Sequence, residues 1–173
     1  ELVANALIHQ DFNLAGTGPM IELFAGRMEI TNPGLPLVDP LRFIDEPPRS
    51  RNEALAALMR RMNICEERGS GIKKVIAAVE QYQLPAPDFR TTSQHTIAVL
   101  LGPRAFADMD RQERIRACYQ HACLWHVSGK RMTNASLRQR LKIDKDSYQL
   151  ASRIIRDTMD ADLIRQAGGS RKD

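Results

Sequence analysis

The feature that most limits how this chain can fold is the break at Gly102-Pro103, where composition and charge change together. Residues 111–173 hold 14 Lys and Arg against 7 Asp and Glu, a net of +7, whereas residues 1–110 hold 11 against 14, a net of −3. A basic segment joined to a mildly acidic one reads as two domains with different partners, residues 1–103 and 104–173. The same pattern also arises when basic residues merely solvate a helical surface. At 173 residues the chain can hold one large domain or two small ones, and 43% apolar residues suffice for buried cores. Aromatics at 5% leave the packing to aliphatic side chains. No apolar stretch is long enough to span a bilayer. Cys65, Cys118 and Cys123 are odd in number and lack CxxC spacing, so they read as reduced thiols of a cytoplasmic protein. The chain opens inside a predicted helix without an initiator Met, as a fragment of a longer protein would.

In the front segment, ELVANALIHQDF (1–12) predicts a helix with Leu2, Val3, Ala6, Leu7 and Gln10 near one side. NLAGTGP (13–19) is a loop, and MIELFAGRMEITN (20–32) is a strand hairpin turning at Ala25-Gly26-Arg27. Asn32-Pro33-Gly34 ends the hairpin, and residues 35–52 are irregular, with Pro36, Pro40 and Pro47-Pro48. Helices are expected at Glu53–Met62 and Ile72–Tyr82. Pro85 and Pro87 then break the chain before a strand, Thr96–Leu101. Glu1, Asn5 and His9 lie four apart and share one helical stripe. A carboxylate, an amide and an imidazole on one face can polarise water or help to hold a metal. A solvated helix face has the same appearance.

Beyond the break the pattern is helical. Arg111–Val127 is amphipathic, with Ile115, Cys118, Tyr119, Ala122 and Trp125 at helical spacing. Thr133 or Asn134 can cap a short helix holding Leu137 and Leu141, and Ile143-Asp144-Lys145 is a tight turn. Asp146 with Gln149 resembles a capping box that opens a third helix, expected to bury Ala151, Ile154, Ile155 and Met159. Leu163-Ile164 can start a strand, and Gly168-Gly169 falls where a hairpin would turn. This order predicts a winged helix-turn-helix, which lays its third helix in the major groove of double-stranded DNA. Gln149, Ser152, Arg153 and Arg156 would then face outward. Arginine can bond guanine or phosphate bidentately, glutamine can read adenine, and serine can bond phosphate. Lys142 and Lys145 flank the turn near the expected phosphate path, with Arg165, Arg171 and Lys172 at the wing. A protein-interaction role would use the same fold, and Asp157 and Asp160 dilute the positive field.

The front pieces form a series: an ExxxN helix, a hairpin, NPG, a proline-rich stretch, GSG opening a helix, and a closing strand. This series resembles a divergent GHKL (Bergerat-fold) ATP-binding domain, the fold shared by gyrase, MutL and histidine kinases. More closely, ELVANALIHQDF, RMEITNPGLP, SRN and ERGSGIKKV are similar to the C-terminal region of proteins labelled ATP-dependent DNA helicase RecG-related. These are regulators to which a winged helix is commonly attached. The resemblance covers roughly residues 1–101 and implies an α+β chain, a GHKL/Bergerat-like α/β sandwich followed by a winged helix-turn-helix. It implies ATP and Mg²⁺ as cofactors. Glu1 falls at the general base that activates water, and Asn5 at the Mg²⁺ ligand. Asn32 falls where an Asp normally accepts a hydrogen bond from the adenine amine, and Gly34 where the backbone approaches the base. Gly69 and Gly71 fall in the phosphate loop at the start of a helix, followed by Lys73 and Lys74. Three departures stand out. Asn32 keeps an acceptor but loses the charge, Pro36 occupies an expected glycine position, and Glu66 and Glu67 would set carboxylates beside a triphosphate.

No GxxxxGK[ST] loop is present, since GSGIKK lacks both the spacing and the hydroxyl, so helicase motor chemistry finds no support. No phospho-acceptor helix pair supports a histidine kinase. The expected function is a DNA-binding transcriptional regulator whose front domain senses a ligand or mediates assembly, with a homodimer as a further possibility. Two alternatives stay open: a Mg²⁺-dependent ATPase acting on DNA, and an interaction module without nucleotide chemistry.

Overall fold

A two-residue turn at Ala25-Gly26 folds β1 (Met20–Phe24) back on β2 (Arg27–Pro33), pairing Phe24 with Arg27 and Met20 with Thr31. Strand β2 pairs along its whole length with β4 (His95–Leu101), and β3 (Asp88–Thr91) closes the far edge of β4. The result is an antiparallel sheet ordered β1-β2-β4-β3. Strand β3 adds to the single closing strand that the sequence predicts, because Pro85 and Pro87 obscure a strand of only four residues. In this computed structural model residues 1–65 and 69–168 are described.

The chain divides into two compact units, Glu1–Arg104 and Ala105–Asp173. In the front unit the sheet is flanked by α1 (Leu2–His9), α2 (Glu53–Arg61) and α3 (Gly71–Gln81), a mixed α+β architecture. Helix α1 is packed on two sides. Leu2 and Ala6 meet Ile30 of the sheet, with Met28, Ile72, Val75, Phe89, Ala98 and Leu100 around them. Ala4 and Ile8 meet Ala56 and Met59 of α2. This corrects the expected apolar side: Val3 (43% exposed) and Leu7 (37%) point outward.

The rear unit holds α4 (Arg111–Val127), α5 (Asn134–Leu141) and α6 (Tyr148–Asp160). Asp110 and Glu113 form a capping box at the start of α4, with bonds of 2.8 and 2.9 Å. Thr133 and Ser136 do the same for α5. The core gathers Ile115, Cys118, Leu137, Leu141, Ala151 and Ile154. Tyr119, Ala122 and Trp125, expected inward on α4, are only half-buried, whereas Gln120 and His121 are buried.

Three expectations for this unit are corrected. The N-cap position of α6 is Ser147, which makes no side-chain capping bond, and the Asp146/Gln149 box is not formed. Its inward set is Ala151, Ile154 and Thr158, with Ile155 half-buried and Met159 exposed. Thr158 fits the core because its hydroxyl donates to the Ile154 carbonyl at 2.7 Å, which leaves a methyl group to pack. Leu163 and Ile164 do not start a strand, and among the described residues the rear unit has no strand. Gly169, Arg171 and Lys172, assigned to the hairpin and wing, lie outside the described residues.

Candidate functional site

Between its two packed sides, α1 carries Glu1, Asn5 and His9. Because Leu2/Ala6 and Ala4/Ile8 flank this stripe, packing turns it inward, and all three residues line a cavity of about 190 Å³ in the front unit. A single water needs only about 10–15 Å³ of such space, so the volume suits a small molecule. Ile30, Ala98 and Phe89 form an apolar wall, and Phe43 meets Phe89 edge-on at 5.4 Å between ring centroids. An apolar wall with a few converging polar groups is the usual form of a ligand site.

Glycines close the polar end. A methyl group on Gly71 would come within 2.7 Å of Glu1 Oε2 and 3.5 Å of Asn5 Nδ2, so this glycine leaves the space between the two side chains open. Gly69 has φ +84°, and a methyl group there would meet Pro48 at 3.2 Å. Both line the cavity where α3 begins. Asn32, buried on β2, donates from Nδ2 to the Pro33 carbonyl at 3.3 Å, leaving Oδ1 as the acceptor it can offer a ligand. Gly34 lies elsewhere. It has φ +104° and packs on Asp11, where a methyl group would come to 3.0 Å, and it does not line the cavity. Lys73 is half-buried on α3 and also outside the lining. Lys74 is exposed there. Pro36 lines the cavity, while Glu66 and Glu67 fall outside the described residues.

The SRN phrase has a structural task that sequence reasoning did not assign. Arg51 donates to the carbonyls of His9 (3.1 Å) and Leu35 (2.6 Å) and approaches Asp11 Oδ2 at 3.4 Å. Asn52 Nδ2 donates to the carbonyls of Ile8 and Gln10 at 2.9 and 2.8 Å. Together they satisfy the unpaired carbonyls at the C-terminus of α1, where a cation also suits the helix dipole. Burial first, then the Arg51 charge, holds the His9 pKa below its ordinary value.

At the polar end Glu1 offers a carboxylate oxygen beside the space at Gly71, where Asn5 presents its amide nitrogen Nδ2 and would have to turn its amide to offer Mg²⁺ an oxygen. Among the described residues no group of three or more metal-ligating His, Cys, Asp or Glu occurs. Mg²⁺ commonly takes one or two protein oxygens and completes its shell with water and phosphates, so this donor set is compatible.

In the rear unit, Gln149, Arg153 and Arg156 are exposed on α6. Ser152 is half-buried and accepts from Asn134 Nδ2 at 2.9 Å, which ties α6 to α5. Arg138 bonds Asn134 Oδ1 and the Lys145 carbonyl, holding the turn between these helices. Lys142 (φ +51°), Lys145 and Arg165 are exposed. Asp157 is paired with Arg111 of α4 at 3.1 Å; that bond first, with Arg153 and Arg156 adding their fields, holds its pKa down.

Residues 16–100 match the family model described as "Putative ATP-dependent DNA helicase recG C-terminal". The front unit carries a distant match to a GHKL-like ATPase family. The matched segment contains Asn32, Gly34, Gly69, Gly71 and Lys73 and begins after Glu1 and Asn5. The sheet flanked by helices agrees with a GHKL-like α/β fold at a coarse level. The crystal structure of the DIP2311 protein from Corynebacterium diphtheriae is similar, with a TM-score of 0.53 and 18% identity over 86% of this chain and 34% of that one. This chain thus spans about a third of that protein, and the likeness concerns the fold alone. No curated protein matches the chain. Among the described residues no helix is long and apolar enough to cross a membrane.

Proposed function

We propose that the chain is part of a cytoplasmic DNA-binding transcriptional regulator of the RecG-related type, whose front unit binds ATP with Mg²⁺ and whose rear unit docks on double-stranded DNA as a helix-turn-helix. The observation that carries the reading is the convergence of Glu1, Asn5, Asn32, Gly69 and Gly71 on one cavity with an apolar wall. The base would lie against Ile30, Ala98 and Phe89, with Asn32 Oδ1 accepting from its exocyclic amine. Mg²⁺, when bound, would neutralise phosphate charge. Asn5 and Glu1 would orient its water shell, and Glu1 could take a proton from an attacking water. A homodimer would give the paired symmetry that operators present.

For the rear unit the support is the exposed Gln149, Arg153 and Arg156 on a helix whose opposite side is buried. Lys142, Lys145 and Arg165 would meet the phosphates and Ser152 would hold α6 in place. The test is an anisotropy titration of a duplex library across salt, with and without ATP and Mg²⁺. Affinity that falls with salt and changes with nucleotide is expected. Absence of DNA binding at low salt would remove the regulatory reading. Absence of a nucleotide effect would leave DNA binding without a sensor.

A further inference from the structure

Among the described residues three arginines line the front cavity, Arg49, Arg51 and Arg60, and they are not equivalent. Arg51 is engaged with the carbonyls of His9 and Leu35 and with Asp11, so it braces the wall. Arg49 is exposed at the rim. Arg60 is half-buried and lies four residues after Ala56 on α2, so both occupy the stripe of that helix that borders the cavity. Ala56 and Met59 lock this stripe against Ala4 and Ile8 of α1, which fixes where the Arg60 side chain starts. Among the described residues Arg60 makes no ion pair. Of the carboxylates among the described lining residues, Glu46 pairs with Arg42 at 3.5 Å, and Glu1 lies against Gly71.

A long cationic side chain held at a partly desolvated wall recognises phosphate oxygens more strongly than it does at the surface. We propose that Arg60 binds the phosphate end of the ligand and discriminates phosphorylated from unphosphorylated nucleosides. The proposal rests on the nucleotide reading and adds the residue that supplies the charge. Lys73 cannot fill this place directly, because it does not line the cavity.

The test is calorimetry of the 173-residue chain with Mg²⁺-ATP, adenosine and inorganic tripolyphosphate, for wild type, Arg60→Gln and Arg60→Lys. Melting temperatures would verify that each variant is folded. Arg60→Gln is expected to weaken ATP and tripolyphosphate by about tenfold to a hundredfold and to leave adenosine unchanged. Arg60→Lys should recover part of the loss. ATP affinity within twofold of wild type in Arg60→Gln would overturn the proposal, as would equal wild-type affinity for ATP and adenosine, although nucleoside binding would then stand. Wild-type binding of tripolyphosphate but not ATP, lost in Arg60→Gln, would keep the anion site and remove the nucleotide. Binding of none of the three overturns both.

Discussion

Helix α1 of the front unit turns Glu1, Asn5 and His9 toward a cavity and leaves Val3 and Leu7 exposed, whereas α6 of the rear unit buries Ala151, Ile154 and Thr158 and holds Gln149, Arg153 and Arg156 outward. The first arrangement gathers polar groups around a small ligand, and the second spreads them for a large polyanion. The difference follows from how each helix is held. Helix α1 has apolar neighbours on two sides, and the polar stripe between them has nowhere to go but the gap. Helix α6 buries a single stripe and keeps its other side in solvent.

Packing should break this comparison most strongly. Leu137 is fully buried in the rear core, and Leu137→Ala should cost about 2–5 kcal/mol of that unit's stability. Calorimetry of unfolding would show one transition lowered, with ligand affinity of the front unit unchanged at temperatures where both remain folded. The same closed core predicts an inert Cys118, whose pKa burial pushes up to about 11. A thiol reagent at neutral pH should label Cys65 and Cys123 well before Cys118.

The brace at the end of α1 comes next. Arg51→Ala strands the carbonyls of His9 and Leu35 and should cost about 1.5–3 kcal/mol, read as a lower midpoint in urea. An equal or smaller loss than in Arg49→Ala would show that the cavity wall holds without it.

On the rear face, Arg153→Ala and Arg156→Ala should each leave unfolding within about 0.5 kcal/mol of wild type. Each should reduce the slope of log affinity against log salt by roughly 1 if it contacts phosphate. Loss of fold stability in either would place it in the core economy of the unit instead. Arg111→Ala offers a finer probe. It releases Asp157 to pull on Arg153 and Arg156, so DNA affinity should fall although Arg111 itself need not touch DNA.

The smallest effect expected is that of pH on the front unit. His9 has a lowered pKa when folded, so the unfolded chain binds its proton at higher pH. Stability should be fully present above about pH 6.5 and decline as pH falls below it. His9→Gln should flatten that slope. A slope unchanged in the variant would assign the titration to another group.

Helix and strand positions were largely legible in the residues. The amphipathic run Arg111–Val127 is α4, and the hairpin, with its glycine turn, forms where alternation and Ala25-Gly26 put it. Capping chemistry was legible where donor and acceptor sit in one turn, as at Thr133, and misread at Asp146, one residue ahead of the N-cap Ser147. The expected strand at Leu163-Ile164 does not form: two adjacent β-prone residues give no ladder without a partner strand. Of the cavity residues, Glu1, Asn5 and His9 are visible in the sequence as a stripe, while nothing local marks Arg60, and Arg51 has only its place in a short phrase.

Local sequence determined the periodicity of each element, because backbone geometry sets which residues share a side. It did not determine which side of α1 faces in. A helix packed on two flanks has no single apolar direction, so its inward polar stripe becomes apparent only when the sheet and α2 take their places. The contacts of Arg51 with His9 and Leu35 likewise join positions 42 and 16 residues away along the chain, and only tertiary folding brings such groups within bonding distance.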